Sequence, residues 1–169
     1  MNTHFDNSKI KVKEIVDENF QDYKKPSMLI CANSCDFKCL KELKMNIGIC
    51  QNMKIAKLPD KLVSIESIFK RYMSNPITKA VVIGGLEPIL QFDEVINLIS
   101  YFRNSGCDDD FVIYTGYNLS EIEDKIEKLK KFKNIIIKYG RFIPNCTSKY
   151  DKILGVNLSS ENQFADKIS

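Results

Sequence analysis

Three apolar runs, AVVIGG (Ala80 to Gly85), FVIYTG (Phe111 to Gly116) and NIIIKYG (Asn134 to Gly140), constrain the fold of this chain more than any other feature. They are short, rich in β-branched residues and almost continuously apolar, as strands covered on both faces are. Around them lie segments of helical period: Ile65, Ile68, Phe69 and Tyr72; Val95, Ile96, Ile99 and Phe102; and Ile122, Ile126 and Leu129. Asn118 and Glu121 precede the last of these at the spacing of an N-terminal capping pair. Strand alternating with helix predicts an α/β fold with a mostly parallel sheet.

Nearer the N-terminus, KIKVKEIV (Lys9 to Val16) begins by alternating polar and apolar residues, as a half-buried strand does. SMLICA (Ser27 to Ala32), after Pro26, reads as a buried strand. At 169 residues the chain suits a single domain, residues 1–169, with a core that needs no disulfide staples. A formal charge of +3 is too slight to argue for a nucleic-acid partner.

Directly after SMLICA comes a cluster of thiols, with Cys35, Cys39 and Cys50 following Cys31 at the end of the strand. The chain has no run of about 18 apolar residues, and MNTHFDNSKIKVKE lacks the apolar stretch of a signal peptide, so the expected location is cytoplasmic. In a reducing compartment clustered cysteines bind metal or do chemistry more often than they cross-link. Cys107 and Cys146, far from the cluster, read as unligated thiols. Soft thiolate ligands suit zinc or an iron–sulfur cluster. Four ligating thiols would close the site, as in structural zinc sites, whereas three would leave one metal position open.

In parallel sheets ligands bind at the carboxyl ends of the strands, so the cysteine loop and the turns GGLEP and YTGY should meet at one site. The order of these motifs resembles the radical S-adenosylmethionine (SAM) superfamily, whose cluster loop has the form C-x3-C-x2-C after a first strand. Cys35 and Cys39 match the first pair, with Phe37 at an aromatic position between them. The third thiol is either Cys50 or, with the set shifted, Cys31. Cys50-Gln51-Asn52 resembles the segment beginning at the third cluster cysteine in several glycyl-radical activating enzymes, which favours Cys50 and makes LKELKMNIGI (Leu40 to Ile49) an insertion. GGLEP (Gly84 to Pro88) resembles the superfamily's GGEP turn with one extra residue. YTGYNLSEIED (Tyr114 to Asp124), YGRFIPN (Tyr139 to Asn145) and LGVNLSSENQ (Leu154 to Gln163) resemble segments of the activating proteins of anaerobic (class III) ribonucleotide reductases. Tyr139 stands where that family usually has an acidic residue, so no role of that carboxylate carries over.

The resemblance runs from Ser27 to Gln163 and implies an incomplete (βα) barrel of radical SAM type. It implies a [4Fe–4S] cluster on Cys35, Cys39 and Cys50, with Cys31 as the alternative ligand, and SAM chelating the fourth iron. One electron from the reduced cluster would cleave SAM to methionine and a 5′-deoxyadenosyl radical. Gly84 and Gly85 would offer backbone groups to the amino group of SAM. Glu87 would hydrogen-bond near SAM or fix its turn, and Thr115 would meet SAM or cap the turn before Asn118. Asn162 and Gln163 would line the site or pair with backbone. No residue is expected to act as a general base, since cluster and SAM carry the chemistry and the sole histidine, His4, falls in a frayed N-terminus.

A full eight-stranded barrel takes roughly 250 residues, so this chain allows only a more open sheet. An open site needs a large partner to shield a radical, which the resemblance identifies as an anaerobic ribonucleotide reductase carrying the target glycine. The implied electron donor is of flavodoxin or ferredoxin type. The competing expectations are a radical SAM enzyme with another substrate and a non-catalytic four-cysteine module for zinc or an iron–sulfur cluster.

Overall fold

The computed structural model describes residues 8–169, so His4 lies outside it. The chain runs β1 (Lys9–Asn19), β2 (Ser27–Ala32), α1 (Lys38–Glu42), α2 (Met53–Ala56), β3 (Lys61–Ser64), α3 (Ile65–Ser74), β4 (Ala80–Gly84), α4 (Phe92–Asn104), β5 (Asp110–Tyr114), α5 (Glu123–Leu129), β6 (Ile135–Tyr139), β7 (Lys149–Asp151), β8 (Val156–Leu158) and β9 (Phe164–Lys167).

Among the described residues, seven strands form one sheet in the order β3-β1-β2-β4-β5-β6-β9. Its centre is parallel, with Ile30 beside Ile83, Val82 beside Val112, and Ile113 beside Ile137. Antiparallel strands border this centre: β1 and then β3 on one side, β9 on the other. The sheet is open, with edges at β3 and β9, so the described residues form a mostly parallel centre and do not close a barrel.

The two faces of the central strands are covered differently. Ile30, Ile83, Ile113 and Ile137 point to the face on which α3, α4 and α5 lay Ile68, Leu98, Ile99 and Leu129. Residues one step along, Val82, Val112 and Ile136, meet Tyr23, Leu154 and Leu158 from the loop before β2 and from the separate β7–β8 hairpin. The longer helices α3, α4 and α5 thus cover one face, while on the other, at the carboxyl ends of the strands, α2 brings Ile55 to a cavity lined by Leu29, Val82 and Tyr114. β1 carries the expected alternation, with Ile10 and Val12 buried between the exposed Lys9 and Lys11.

Helix ends follow local chemistry. Ser64 caps α3 by accepting from the Ser67 N–H at 3.1 Å. Glu121 accepts from the Asn118 N–H at 2.8 Å, but the turn so fixed is a short 3-10 segment, Leu119–Glu121, placed ahead of α5.

Candidate functional site

Four loops leave the carboxyl ends of the parallel strands: the cysteine loop after β2, GGLEP after β4, TGY after β5 and GRF after β6. Parallel pairing puts them at one end of the sheet. They line one cavity of about 130 Å³, walled by Cys35, Cys39, Cys50, Gly85, Glu87 and Thr115, among others. A second cavity of about 310 Å³ shares Gln51, Gly85, Lys138 and Gln163 with it and is also lined by Gly84. Together they reach the size range of small-molecule sites.

The cysteine loop is held by its own backbone. Phe37 takes up a left-handed conformation (φ 54°), and its N–H donates to Cys35 Sγ at 3.3 Å. α1 starts from there and carries Cys39. Burial, partly offset by the Phe37 N–H, pushes the Cys35 thiol up to about 12, so metal binding there must displace a proton. Cys31 lies buried on β2, lines neither cavity, and is pushed up to about 11 by burial and then by Glu14. All six cysteines are free thiols, with Cys107 and Cys146 outside both cavities.

GGLEP turns sharply. The Leu86 N–H donates to Gly84 O at 2.8 Å across Gly85, whose φ is +71°. A Cβ on Gly85 would lie 3.0 Å from Cys31 Sγ, so this position needs glycine for conformation and for space. The turn uses one lone pair of the Gly84 carbonyl and leaves the second. A Cβ on Gly116 would lie 3.0 Å from Cys39 Sγ, so glycine there keeps the space beside that thiol clear.

Glu87 is 5 % exposed and accepts three hydrogen bonds: from Thr115 Oγ1 at 2.8 Å, the Gly116 N–H at 2.9 Å and the Ile89 N–H at 3.1 Å. Burial raises its pKa and those donors oppose the rise. Of the two roles expected for Glu87, the structure has it fixing the turn, on the cavity wall. Thr115 also accepts from the Tyr117 N–H at 3.0 Å, so its hydroxyl ties two turns together. Gln163 lines both cavities and pairs with backbone, receiving from the Ser160 N–H and donating to Gly140 O. Asn162 donates to Arg141 O at 2.9 Å.

Two residues without a role in the sequence reading complete the site. Arg141 donates to both Glu42 oxygens at 2.9 and 3.0 Å, to Glu121 at 2.8 Å and to Gly116 O at 2.6 Å. It thereby joins α1 to the turns after β5 and β6, and its hydrogen bond holds the Glu121 carboxyl down to about 2. Lys138 is 7 % exposed and lines both cavities. Among the described residues its Nζ meets only Thr115 O and Gly140 O, each at 3.5 Å. Burial pulls its pKa down to about 8, against the favourable charges of Cys39 and Glu87. A lysine within an otherwise apolar strand run was the signal for it.

Among the described residues, no three His, Cys, Asp or Glu side chains converge closely enough to hold one metal ion. In a cluster each thiolate binds a different iron, so thiols spread around a cavity suit a cluster better than a single ion. The fold and the site thus define an α/β domain with a thiol-lined cavity fitted to an iron–sulfur cluster.

Residues 26–164 match a family described as a 4Fe-4S single cluster domain. The match spans most of the chain, which therefore belongs to that family, and its cofactor is an iron–sulfur cluster. Comparison with curated proteins and with solved structures finds no match.

Proposed function

We propose that this chain is a radical SAM activase that generates a glycyl radical on an anaerobic ribonucleotide reductase. One observation carries the reading: Cys35, Cys39 and Cys50 share a cavity with the GGLEP turn and with Thr115–Gly116, at the carboxyl ends of parallel strands in an open sheet. Cys35, Cys39 and Cys50 would hold a [4Fe–4S] cluster, and the turn at Gly84 and Gly85 would offer backbone groups to SAM. When bound, cluster and SAM supply a 5′-deoxyadenosyl radical, using one external electron. Glu87 and Thr115 hold the walls of the cavity. Because the sheet is open, the reductase itself covers the radical and presents the glycine.

The surface next to the thiols supports an acidic electron donor of flavodoxin or ferredoxin type. Residues 38–61 hold six lysines against Glu42 and Asp60, a net +4 on a chain whose total is +3. Arg141 and Lys13 neutralise those two acids, while Lys41, Lys44, Lys54, Lys57 and Lys61 make no ion pair among the described residues. Leu43, Met45, Ile47 and Ile49 are exposed between them. Such a surface steers and then seats an acidic partner beside the cluster.

Anaerobic reconstitution tests the proposal. The expected result is four irons per chain, reductant-dependent release of 5′-deoxyadenosine, and a glycyl doublet by electron paramagnetic resonance when the reductase is added. C50A is expected to lose the cluster and C31A to keep it. Stoichiometric zinc with no SAM cleavage would instead make the chain a non-catalytic four-cysteine module.

A further inference from the structure

The least explained group in the structure is the Lys138 ammonium. It is buried, makes no ion pair among the described residues, and has two carbonyls at the limit of hydrogen-bonding distance. The face of the Tyr114 ring, 5.7 Å away, adds a weak attraction. A buried cation with so little solvation destabilises a fold unless an anion meets it. Lys138 lines the cavity that holds Cys35, Cys39 and Cys50, where negative charge on Glu87 or on a ligating Cys39 thiolate favours its ammonium form.

We infer that Lys138 is the counter-charge of the iron–sulfur cluster, a positioning residue that favours the reduced state and so raises the reduction potential. The inference rests on the assignment of Cys35, Cys39 and Cys50 as ligands. A cluster carried by thiolates is anionic, and one-electron reduction adds a further negative charge with no bond made or broken. A fixed positive charge beside the cluster stabilises the more negative state more strongly, and net charge is among the levers that set cluster potentials. β6 is held between β5 and β9, which fixes the Cα from which the buried lysine stem reaches the cavity.

The test is a potentiometric titration with dithionite, followed by electron paramagnetic resonance of the reduced cluster, on reconstituted wild type, K138R, K138M and K138Q. SAM and partner proteins are left out. At equal iron and sulfide content, K138M and K138Q are expected to move the midpoint to more negative potential by at least a tenfold change in the reduction equilibrium, about 59 mV. K138R should stay near wild type, and using two neutral variants keeps the comparison alive if one fails to fold. An unchanged midpoint in a neutral variant that retains its cluster overturns the inference, as does an equal shift in K138R. In a separate binding titration of the same variants, a change in SAM affinity with the midpoint unmoved would make Lys138 a substrate contact instead and also overturns it. Absence of SAM cleavage would refute the activase while leaving this measurement intact.

Discussion

Replacing Glu87 by glutamine tests whether one carboxylate, through three hydrogen bonds, holds the turns after β4 and β5 together. Oε1 receives the Thr115 hydroxyl and the Ile89 N–H, while Oε2 receives the Gly116 N–H. The glutamine amide keeps one oxygen and puts an NH2 in place of the other. Either orientation sets that NH2 against a backbone N–H, the buried one of Ile89 or the half-buried one of Gly116, which loses its acceptor. A buried donor left without a partner costs about 1–3 kcal/mol, and loss of the buried charge offsets part of this, since burial already disfavours the ionised form. With an m value near 2 kcal/mol/M, a loss of about 2 kcal/mol lowers the urea midpoint by roughly 1 M. The assay is anaerobic urea unfolding of the cluster-free chain. A midpoint within ~0.2 M of wild type at unchanged m would refute the three-bond geometry. A cycle with T115V separates the Thr115 bond, which predicts a coupling of at least about 0.5 kcal/mol.

Glu121 predicts a pH effect of definite sign. Its folded pKa of about 2 lies below the ordinary glutamate value of 4.5, so its contribution is present above the unfolded value and is lost as pH falls from there toward 2. E121Q should therefore be less stable at neutral pH, by ~1 kcal/mol for a carboxylate only partly shielded from solvent, and should lose less on acidification. Unfolding midpoints measured across that range check this, and parallel curves for the two proteins would contradict it. Tyr139 is fully buried with a hydroxyl that has no partner among the described residues, so Y139F should be neutral or stabilising by up to about 1 kcal/mol in the same assay. A loss beyond that would mean the hydroxyl is bonded after all.

The elements that could be read from the sequence are those whose own residues decide their form. AVVIGG, FVIYTG and NIIIKYG became β4, β5 and β6 because β-branched runs buried on both faces have few alternatives, and SMLICA became β2 as a short apolar run bounded by Pro26. β9 could not be read: Phe164–Lys167 has the burial pattern of an edge and becomes a strand only because β6 leaves its outer side unpaired. β7 and β8 are three residues each and exist by pairing with one another. Which elements cover each face was likewise not legible, since the strands read as apolar on both sides and do not say what covers each.

The site was legible where residue type and chain order suffice, and not where function depends on which way a side chain points. Cys31 and Cys50 are chemically identical in the sequence, and either completes a plausible spacing. The fold separates them by position: Cys31 sits on β2 beneath Gly85, which has no Cβ to push it aside, while Cys50 lies past the insertion on the cavity wall. Arg141 shows the opposite limit. Its neighbours in the sequence give no hint of Glu42, ninety-nine positions away, yet that pair fixes α1, and with it Cys39, to the turns after β5 and β6. Cutting the Arg141 contact should therefore loosen Cys39 before it loosens the sheet.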